Sequence, residues 1–185
     1  MSQALTRRWL GNEGYFRYED TDVELLCHTD HTIAKNKTTQ RIYQIETSAL
    51  PEGIAWKPAR SAVSDSLMTA YLSCFTLLLG ANLVAAFFLR PTLKVSSLDG
   101  SGWEILLGYT VLQLAAHEAS HIATFRAFGR RPDRVGFKLN FGVFPAVYVR
   151  MNDSHLLLPR EKFIVHSAGL LANSLIASVF IAANW

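Results

Sequence analysis

The sequence is poor in charge, in cysteine and in clustered basic residues. Only 18% of its 185 residues are charged, whereas a soluble domain of this size usually carries about 25%. Two cysteines, Cys27 and Cys74, are too few for a disulfide framework. Because Cys74 lies in an apolar run, we expect a reduced or lipid-facing thiol there. The net charge of +3 comes with no basic cluster interleaved with aromatics, so we expect no nucleic-acid partner.

The first 30 residues also lack the apolar core of a signal peptide, which predicts a cytoplasmic N-terminus. Residues 1–66 have ordinary polar composition, and short alternating stretches such as Val23–Leu26 and Arg41–Ile45 are separated by Gly and Pro. This pattern predicts a small, mixed, strand-containing cytosolic extension. Its role is open between a cap tethered at the surface and a recognition module for a peptide partner.

The apolar excess begins after residue 66 and falls into three runs. They cover about 67–89, 103–128 and 163–184, and each is long enough to cross a bilayer at 1.5 Å rise per residue. The sequence therefore predicts an α-helical membrane protein with about three transmembrane helices, whose membrane-embedded part is 67–185. Asn82 is predicted to pack helices, and the small residues of the third run favour close helix approach.

The segment between the second and third runs differs from its neighbours. Phe137–Arg150 is rich in β-branched and aromatic residues with Gly142 and Pro145 as breakers, which predicts a short β-hairpin or re-entrant segment. The positive-inside rule places this segment and the N-terminus in the cytoplasm. It rests on eight basic residues, against only two in 90–102: Arg126, Arg130, Arg131, Arg134, Lys138, Arg150, Arg160 and Lys162.

The second run contains His117-Glu118-Ala119-Ser120-His121, an HExxH motif. On a helix, residues four apart lie on one face, so His117 and His121 can bind one Zn²⁺ ion. Glu118 can reach a zinc-bound water and act as the general base. The alternative is a pair of surface or helix-capping histidines, but ionisable groups in a membrane span cost at least ~2.5–3.5 kcal/mol, which disfavours it.

A catalytic zinc site needs a third protein ligand. Asp153 and His155 lie in the same predicted cytoplasmic segment, and His166 lies at the edge of the third run, but each is more readily explained as a solvated or interfacial residue. His28 and His31 have i, i+3 spacing, and a second metal site there is a weaker hypothesis.

Three motifs in this order resemble the site-2 protease family of intramembrane zinc metalloproteases, over roughly Gly102–Trp185. They are HEASH in a membrane helix, FGVFPAVYVRM at Phe141–Met151, and SAGLLAN at Ser167–Asn173. The Phe-Pro-x-x-Tyr segment and Arg160 before the SAG motif are most similar to the peptide zinc metalloproteases of ribosomal-peptide biosynthesis.

The resemblance implies that His117 and His121 bind zinc and that Glu118 is the general base. It implies a substrate-binding role for the hairpin residues Phe144 and Pro145. Asn173 is implied to orient the substrate or an oxyanion, with an interhelical hydrogen bond as the alternative. In the family, the third ligand is an aspartate of a Leu-Asp-Gly motif on a later helix.

Here Leu98-Asp99-Gly100 precedes HEASH, on the opposite predicted side of the membrane, so the role is not assigned to Asp99. The family order instead leads us to expect that the chain lacks the C-terminal part of the family.

These observations favour a zinc-dependent intramembrane endopeptidase of a bacterial cell membrane. It would cleave a membrane-spanning or membrane-associated peptide or protein near the cytoplasmic face. The alternative is a catalytically incomplete zinc-binding membrane partner in a peptide maturation or export system. A transporter is a weaker hypothesis, because three spans form a poor pathway without oligomerisation.

Overall fold

The computed structural model describes residues 14–28, 31–89, 100–140 and 144–183. In these ranges, five short strands are followed by two long helices, a two-stranded hairpin and a third long helix. The strands are β1 (Phe16–Glu19), β2 (Val23–His28), β3 (His31–Asn36), β4 (Ile42–Glu46), β5 (Lys57–Pro58), β6 (Arg134–Asn140) and β7 (Phe144–Arg150). The helices are α1 (Asp65–Leu89), α2 (Gly100–Ala127) and α3 (Pro159–Ala183), with 3₁₀ turns at Thr47–Ala49 and Asn152–Leu156.

The first five strands form one antiparallel sheet in the order β4-β3-β2-β1-β5. Strand β2 is central and almost entirely buried, because Leu26 packs against Leu156 and Leu158 of the segment that precedes α3. The sheet is therefore attached to the link between the hairpin and α3. Cys27 is buried within it and Cys74 is exposed on α1, and both are free thiols.

The three helices pack with α3 between the other two. Helix α1 begins after Ser64, whose hydroxyl accepts the Leu67 N–H at 3.2 Å and so satisfies one of the free donors of the first turn. At the start of α3, the buried Glu161 accepts the N–H of Leu158 at 3.1 Å and that of Ala62 at 3.0 Å. One carboxylate thus caps α3 and fixes the segment that leads into α1.

The expectation of an α-helical membrane protein with three transmembrane helices is wrong. The described residues form seven strands in two antiparallel sheets, and among them only α1 and α3 are long and apolar enough to cross a membrane. Helix α2 does not qualify because its second half carries His117, Glu118, His121 and Arg126, which lower its hydropathy. The fold is mixed α and β, and the strands before residue 66 form a full five-stranded sheet.

A hairpin lies where the sequence predicts a hairpin or re-entrant segment. Strands β6 and β7 pair from Arg134 opposite Arg150 to Asn140 opposite Phe144. Gly136 is required beneath the Tyr148 ring, because a Cβ atom at position 136 would lie 2.6 Å from it. Strand β7 contacts α2, so the hairpin lies beside the helix that carries HEASH.

Candidate metal centre

The HEASH residues lie in the second half of α2, and both imidazoles turn toward the same point. The Nε2 atoms of His117 and His121 are 3.1 Å apart, and the two rings are nearly perpendicular, with centroids 4.8 Å apart. The helical spacing of four residues brings the side chains to one face, where α3 packs. The site therefore lies at the α2–α3 interface.

The other ring nitrogen of each histidine contacts α3. His121 Nδ1 lies 2.6 Å from the carbonyl oxygen of Val165, and His117 Nδ1 lies 3.2 Å from Nδ2 of Asn173. A carbonyl can only accept, so His121 carries its proton on Nδ1 and keeps the Nε2 lone pair for a metal. This is the usual arrangement of a metal-binding histidine whose second nitrogen is held by a protein carbonyl.

His117 and Asn173 can meet in two ways. Without a metal, the Asn173 amide donates to His117 Nδ1, and His117 Nε2–H donates to His121 Nε2, which makes one continuous chain of hydrogen bonds. With a metal on both Nε2 atoms, His117 carries its proton on Nδ1 and needs an acceptor. A half-turn of the Asn173 amide supplies this acceptor, because Oδ1 and Nδ2 exchange places.

Gly169 sets the distance between α3 and His117. A Cβ atom at this position would lie 2.5 Å from both Cε1 and Nε2 of the His117 ring, closer than real Cβ contacts. The His117 imidazole thus packs directly on the α3 backbone, between Val165, which contacts His121, and Asn173, which contacts His117. The sequence predicts close helix approach from the small residues of the third run as a group, and does not distinguish Gly169 among them.

Glu118 is half-buried next to His117 and makes no hydrogen bond or ion pair with any residue that the structure describes. Both oxygens of its carboxylate therefore keep their capacity to accept hydrogen bonds. Neighbouring polar side chains of α2 are used within the helix: the Ser120 hydroxyl donates to the His117 carbonyl at 2.7 Å, and the Thr124 hydroxyl donates to the Ser120 carbonyl at 2.8 Å.

The two histidines fit zinc as two of its ligands. Nitrogens about 2.0–2.1 Å from a tetrahedral zinc are roughly 3.3 Å apart, and the observed separation of 3.1 Å is close to this. Within the described ranges, however, no group of three His, Cys, Asp or Glu side chains is placed to hold a metal.

The other predicted ligand candidates do not join the pair. Asp153 is buried in an ion pair with Lys35 at 2.7 Å. His155 is exposed on the 3₁₀ turn and His166 is exposed on α3. The rings of His28 and His31 are tilted at 58° to each other with centroids 5.9 Å apart, and Asp99 lies outside the described residues.

The hairpin candidates Phe144 and Pro145 begin β7, where their backbones pair with Asn140 and Leu139. Sequence reasoning missed three contributors to the site: the Val165 carbonyl, Gly169 as a packing surface, and Gln113. The signal for Gln113 was its position four residues before His117, on the same helix face. Its Nε2 donates to the Asn173 backbone carbonyl at 3.4 Å.

Comparison with known proteins identifies the family. A Bacillus subtilis (strain 168) protein named "Putative peptide zinc metalloprotease protein YydH" is 31% identical over 170 residues. The alignment covers 91% of this chain and 67% of that relative. No family model and no solved structure matches the chain. Because the identity extends over most of both proteins, the chain belongs to the same zinc metalloprotease family as this relative.

Proposed function

We propose that the protein is a zinc-dependent intramembrane endopeptidase that cleaves a membrane-associated peptide or protein near the cytoplasmic face. The observation that carries the proposal is the convergence of the His117 and His121 Nε2 atoms at 3.1 Å, with each Nδ1 facing a separate group of α3. A histidine pair with a purely structural role would not need a separate protein contact at each Nδ1 atom to orient both rings.

His117 and His121 hold the metal, and Glu118 and Asn173 serve the reaction around it. When bound, zinc lowers the pKa of a coordinated water toward 7 and polarises the scissile carbonyl. The Glu118 carboxylate takes a proton from the attacking water and delivers it to the amine that leaves. Asn173 keeps the His117 ring in the orientation that presents Nε2.

A membrane location is supported by the exposed apolar surface of α1 and α3. Apart from Met68, no described side chain of α1 is buried, and Leu77, Phe87 and Phe88 are at least 70% exposed. Surfaces of this kind are typical of contact with lipid. We propose that α1 and α3 anchor the protein in a bacterial cell membrane, with the N-terminal sheet at the cytoplasmic face.

The hairpin supplies the means to hold an extended substrate. A peptide must unwind before its amide can be attacked, and its freed backbone groups then need partners within the membrane. Strand β7 lies against α2, and the hairpin is only two strands wide. A substrate strand can therefore add to one of its edges, near the start of β7 at Phe144 and Pro145.

The decisive variant is Glu118→Gln, which keeps the size of the side chain but removes its basicity. We expect wild-type protein in detergent to bind one zinc per chain and to cleave an apolar reporter peptide that carries a fluorophore and a quencher. Glu118→Gln should retain zinc and lose at least about a hundredfold in rate, in line with general-base catalysis. His117→Ala should lose both. Equal cleavage by wild type and Glu118→Gln would contradict the assignment.

The second candidate is a zinc-binding membrane partner in peptide maturation or export that does not itself catalyse. It is favoured by the lack of a third His, Cys, Asp or Glu beside the pair among the described residues. Zinc bound by wild type and lost in His117→Ala, with no proteolysis in either, would support this candidate over the peptidase.

A further inference from the structure

Strand β6 of the hairpin has two unlike faces. Because side chains alternate along a strand, Arg134 and Lys138 lie on one face, and Val135 and Phe137 lie on the other. Both cations are exposed, and the two apolar side chains are 53% and 65% exposed. The strand therefore presents a cationic face and an apolar face, and the residues that the structure describes leave both of them accessible.

The cationic face has no carboxylate partner among the described residues. Arg134 lies directly opposite Arg150 of β7, and like charges in that arrangement repel each other. Arg150 Nε donates to the neutral Oδ1 of Asn152 at 3.1 Å. The carboxylate of Asp133, just before β6, accepts the Asn152 N–H at 2.7 Å. Neither arginine, nor Lys138, forms an ion pair in the described part of the chain.

An aromatic ring separates the two cations of β6. Tyr148 lies over Gly136, the residue midway between them. The Lys138 Nζ atom is 5.9 Å from the centroid of the same ring, close enough for a cation–π interaction that leaves its charge in place. The cationic face thus consists of two positive charges four residues apart, with an aromatic surface between them.

The outer edge of β6 is open. The hairpin is a sheet of two strands, and no other strand in the described ranges pairs with β6. In an antiparallel pair, alternate residues direct their N–H and C=O groups away from the partner strand, so β6 has a row of such groups on its outer side. Strand β7 instead lies against α2. An added strand is therefore more readily accepted at β6.

A lipid surface would match only part of this strand. Anionic head groups could neutralise the cations, and acyl chains could cover Val135 and Phe137, but lipid offers no partners for the N–H and C=O groups of the edge. An extended peptide with acidic and apolar residues supplies all three kinds of contact. Charge complementarity and the open edge together favour such a peptide.

We propose that the outer edge of β6 selects the substrate by charge, and that it binds an extended segment with two acidic residues four positions apart and apolar residues just inside them. In a strand paired with β6, the acidic side chains lie beside Arg134 and Lys138. The apolar ones lie beside Val135 and Phe137, and the central residue lies beside Gly136. The inference rests on the proposed peptidase function, and it adds the edge that is used and the class of peptide that is recognised.

The test uses two peptides as long as β6 that differ only in charge. They are TEVTVET and its neutral analogue TQVTVQT, each with blocked ends and a fluorescent label. Binding to the full chain in micelles of a neutral detergent is followed by fluorescence anisotropy. The protein is kept free of zinc with a chelator, so that the peptides are not cleaved.

We expect the acidic peptide to bind about tenfold more tightly, because each opposite-charge pair across neighbouring strands strengthens pairing by up to about fivefold. The double variant Arg134→Gln, Lys138→Gln should abolish this preference. The reversed variant Arg134→Glu, Lys138→Glu should prefer TKVTVKT, a result that misfolding would not produce. The matched control Arg41→Gln, Lys57→Gln removes the same two kinds of charge from exposed positions of the N-terminal region and should keep the preference.

Pairing with the edge is tested by N-methylation of the acidic peptide at a single residue. Neighbouring residues of a strand direct their N–H groups to opposite sides. Methylation at the central threonine and at the valine before it should therefore differ: one should weaken binding about tenfold, and the other should leave it nearly unchanged. Equal effects at the two positions would mean charge attraction without strand pairing and would overturn the proposal.

Equal binding of the acidic and neutral peptides would also overturn it, since the cations would then serve only to protect the edge from association. If, in that case, native mass spectrometry showed phosphatidylglycerol bound by wild type and lost in the double glutamine variant, the cations would be assigned to lipid head groups. An acidic preference that persists in the double glutamine variant would show that the charge is read elsewhere and would equally overturn the proposal.

The outcome is independent of the peptidase assignment, because these measurements use neither zinc nor cleavage. Failure of the proposed function would appear as absent zinc uptake or absent cleavage, with the charge preference intact. Failure of the present inference would appear as equal peptide binding by a protein that still takes up zinc and cleaves the apolar reporter peptide.

Discussion

Helix α3 contacts the Nδ1 atom of each imidazole in the HEASH pair, and the two contacts differ in kind. The Val165 carbonyl fixes the tautomer of His121 permanently, because it can only accept a proton. The Asn173 amide can adapt to His117, since its two ends are a donor and an acceptor. Without a metal, the two histidines therefore belong to one continuous chain of hydrogen bonds. With a metal, both Nε2 lone pairs are available to bind it, and the change requires one rotation of the Asn173 amide.

Gly169→Ala tests whether the close approach of α3 is needed for this geometry. The added Cβ would lie 2.5 Å from His117 Nε2, so the ring must move away from Asn173. Loss of such a supporting contact weakens metal binding about 10- to 100-fold. Zinc affinity is measured by competition with a chelating dye.

The matched control is Gly108→Ala, which lies on α2 with no atom within 4 Å of the added Cβ. It should leave zinc affinity unchanged and raise helix stability by up to about 1 kcal/mol. Unchanged zinc affinity in Gly169→Ala would show that the His117 ring is not held by contact with the α3 backbone.

At the residue scale, HExxH spacing was enough to predict that His117 and His121 would come together, because helical periodicity is local. The partners of their Nδ1 atoms were harder to predict. Asn173 was found through family resemblance, but a backbone carbonyl such as that of Val165 leaves no trace in side-chain pattern. Gly169 is one of many small residues in its run, and only the packing of α3 on α2 distinguishes it.

At the scale of elements, the long helices were predicted within a few residues from their apolar runs, and the hairpin from its β-branched residues. What failed was the assignment of α2 as a membrane span. Its first half is apolar and exposed at Trp103 and Leu107, but its second half carries the site. Length alone does not distinguish a helix that is apolar along its whole course from one whose second half carries polar side chains.

Asn82 tests how α1 is attached to α3. Its amide donates to the Ser174 carbonyl and accepts from the Ser178 hydroxyl, so it connects two successive turns of α3. Hydrogen bonds between helices in apolar surroundings contribute about 0.6–2 kcal/mol. We expect Asn82→Leu to lower the free energy of unfolding by about 1 kcal/mol, measured by thermal unfolding in detergent.

Ser178→Ala provides the comparison within the same contact. In the Asn82→Leu background it should add little, because Asn82 Oδ1 is gone and the single hydroxyl proton is then donated to the Ser174 carbonyl 2.9 Å away, within α3 itself. Fully additive effects of the two substitutions would contradict a direct bond between them.

At the scale of the molecule, the N-terminal sheet is joined to the rest by buried ion pairs. Glu24 of β2 forms a two-pronged pair with Arg130, just after α2, and Lys35 of β3 pairs with Asp153 before α3. The polar composition of 1–66 predicted a separate extension, because an ion pair between residues more than a hundred positions apart has no local signature. The sheet instead contacts both ends of the hairpin region that follows the metal centre.

Glu24→Gln tests this attachment through its pH dependence. Burial acts to raise the pKa of Glu24, but the hydrogen bond and charge of Arg130 more than offset it, so the pKa lies below its ordinary value of 4.5. A depressed pKa stabilises the fold above about pH 4.5, and this contribution is lost as the pH falls through the folded-state value. At pH 7 we expect Glu24→Gln to cost roughly 3 kcal/mol, because Arg130 is left buried without its partner.

The difference in unfolding midpoint between wild type and Glu24→Gln should shrink as the pH is lowered from 4.5, since wild-type Glu24 then also becomes neutral. Glu19→Gln is the control, because Glu19 pairs with Lys37 in a mostly exposed ion pair, and such pairs contribute at most about 1 kcal/mol. A difference that stays constant down to low pH would mean that the Glu24 carboxylate charge does not hold the sheet in place. Attachment would then depend on the apolar contact of Leu26 with Leu156 and Leu158.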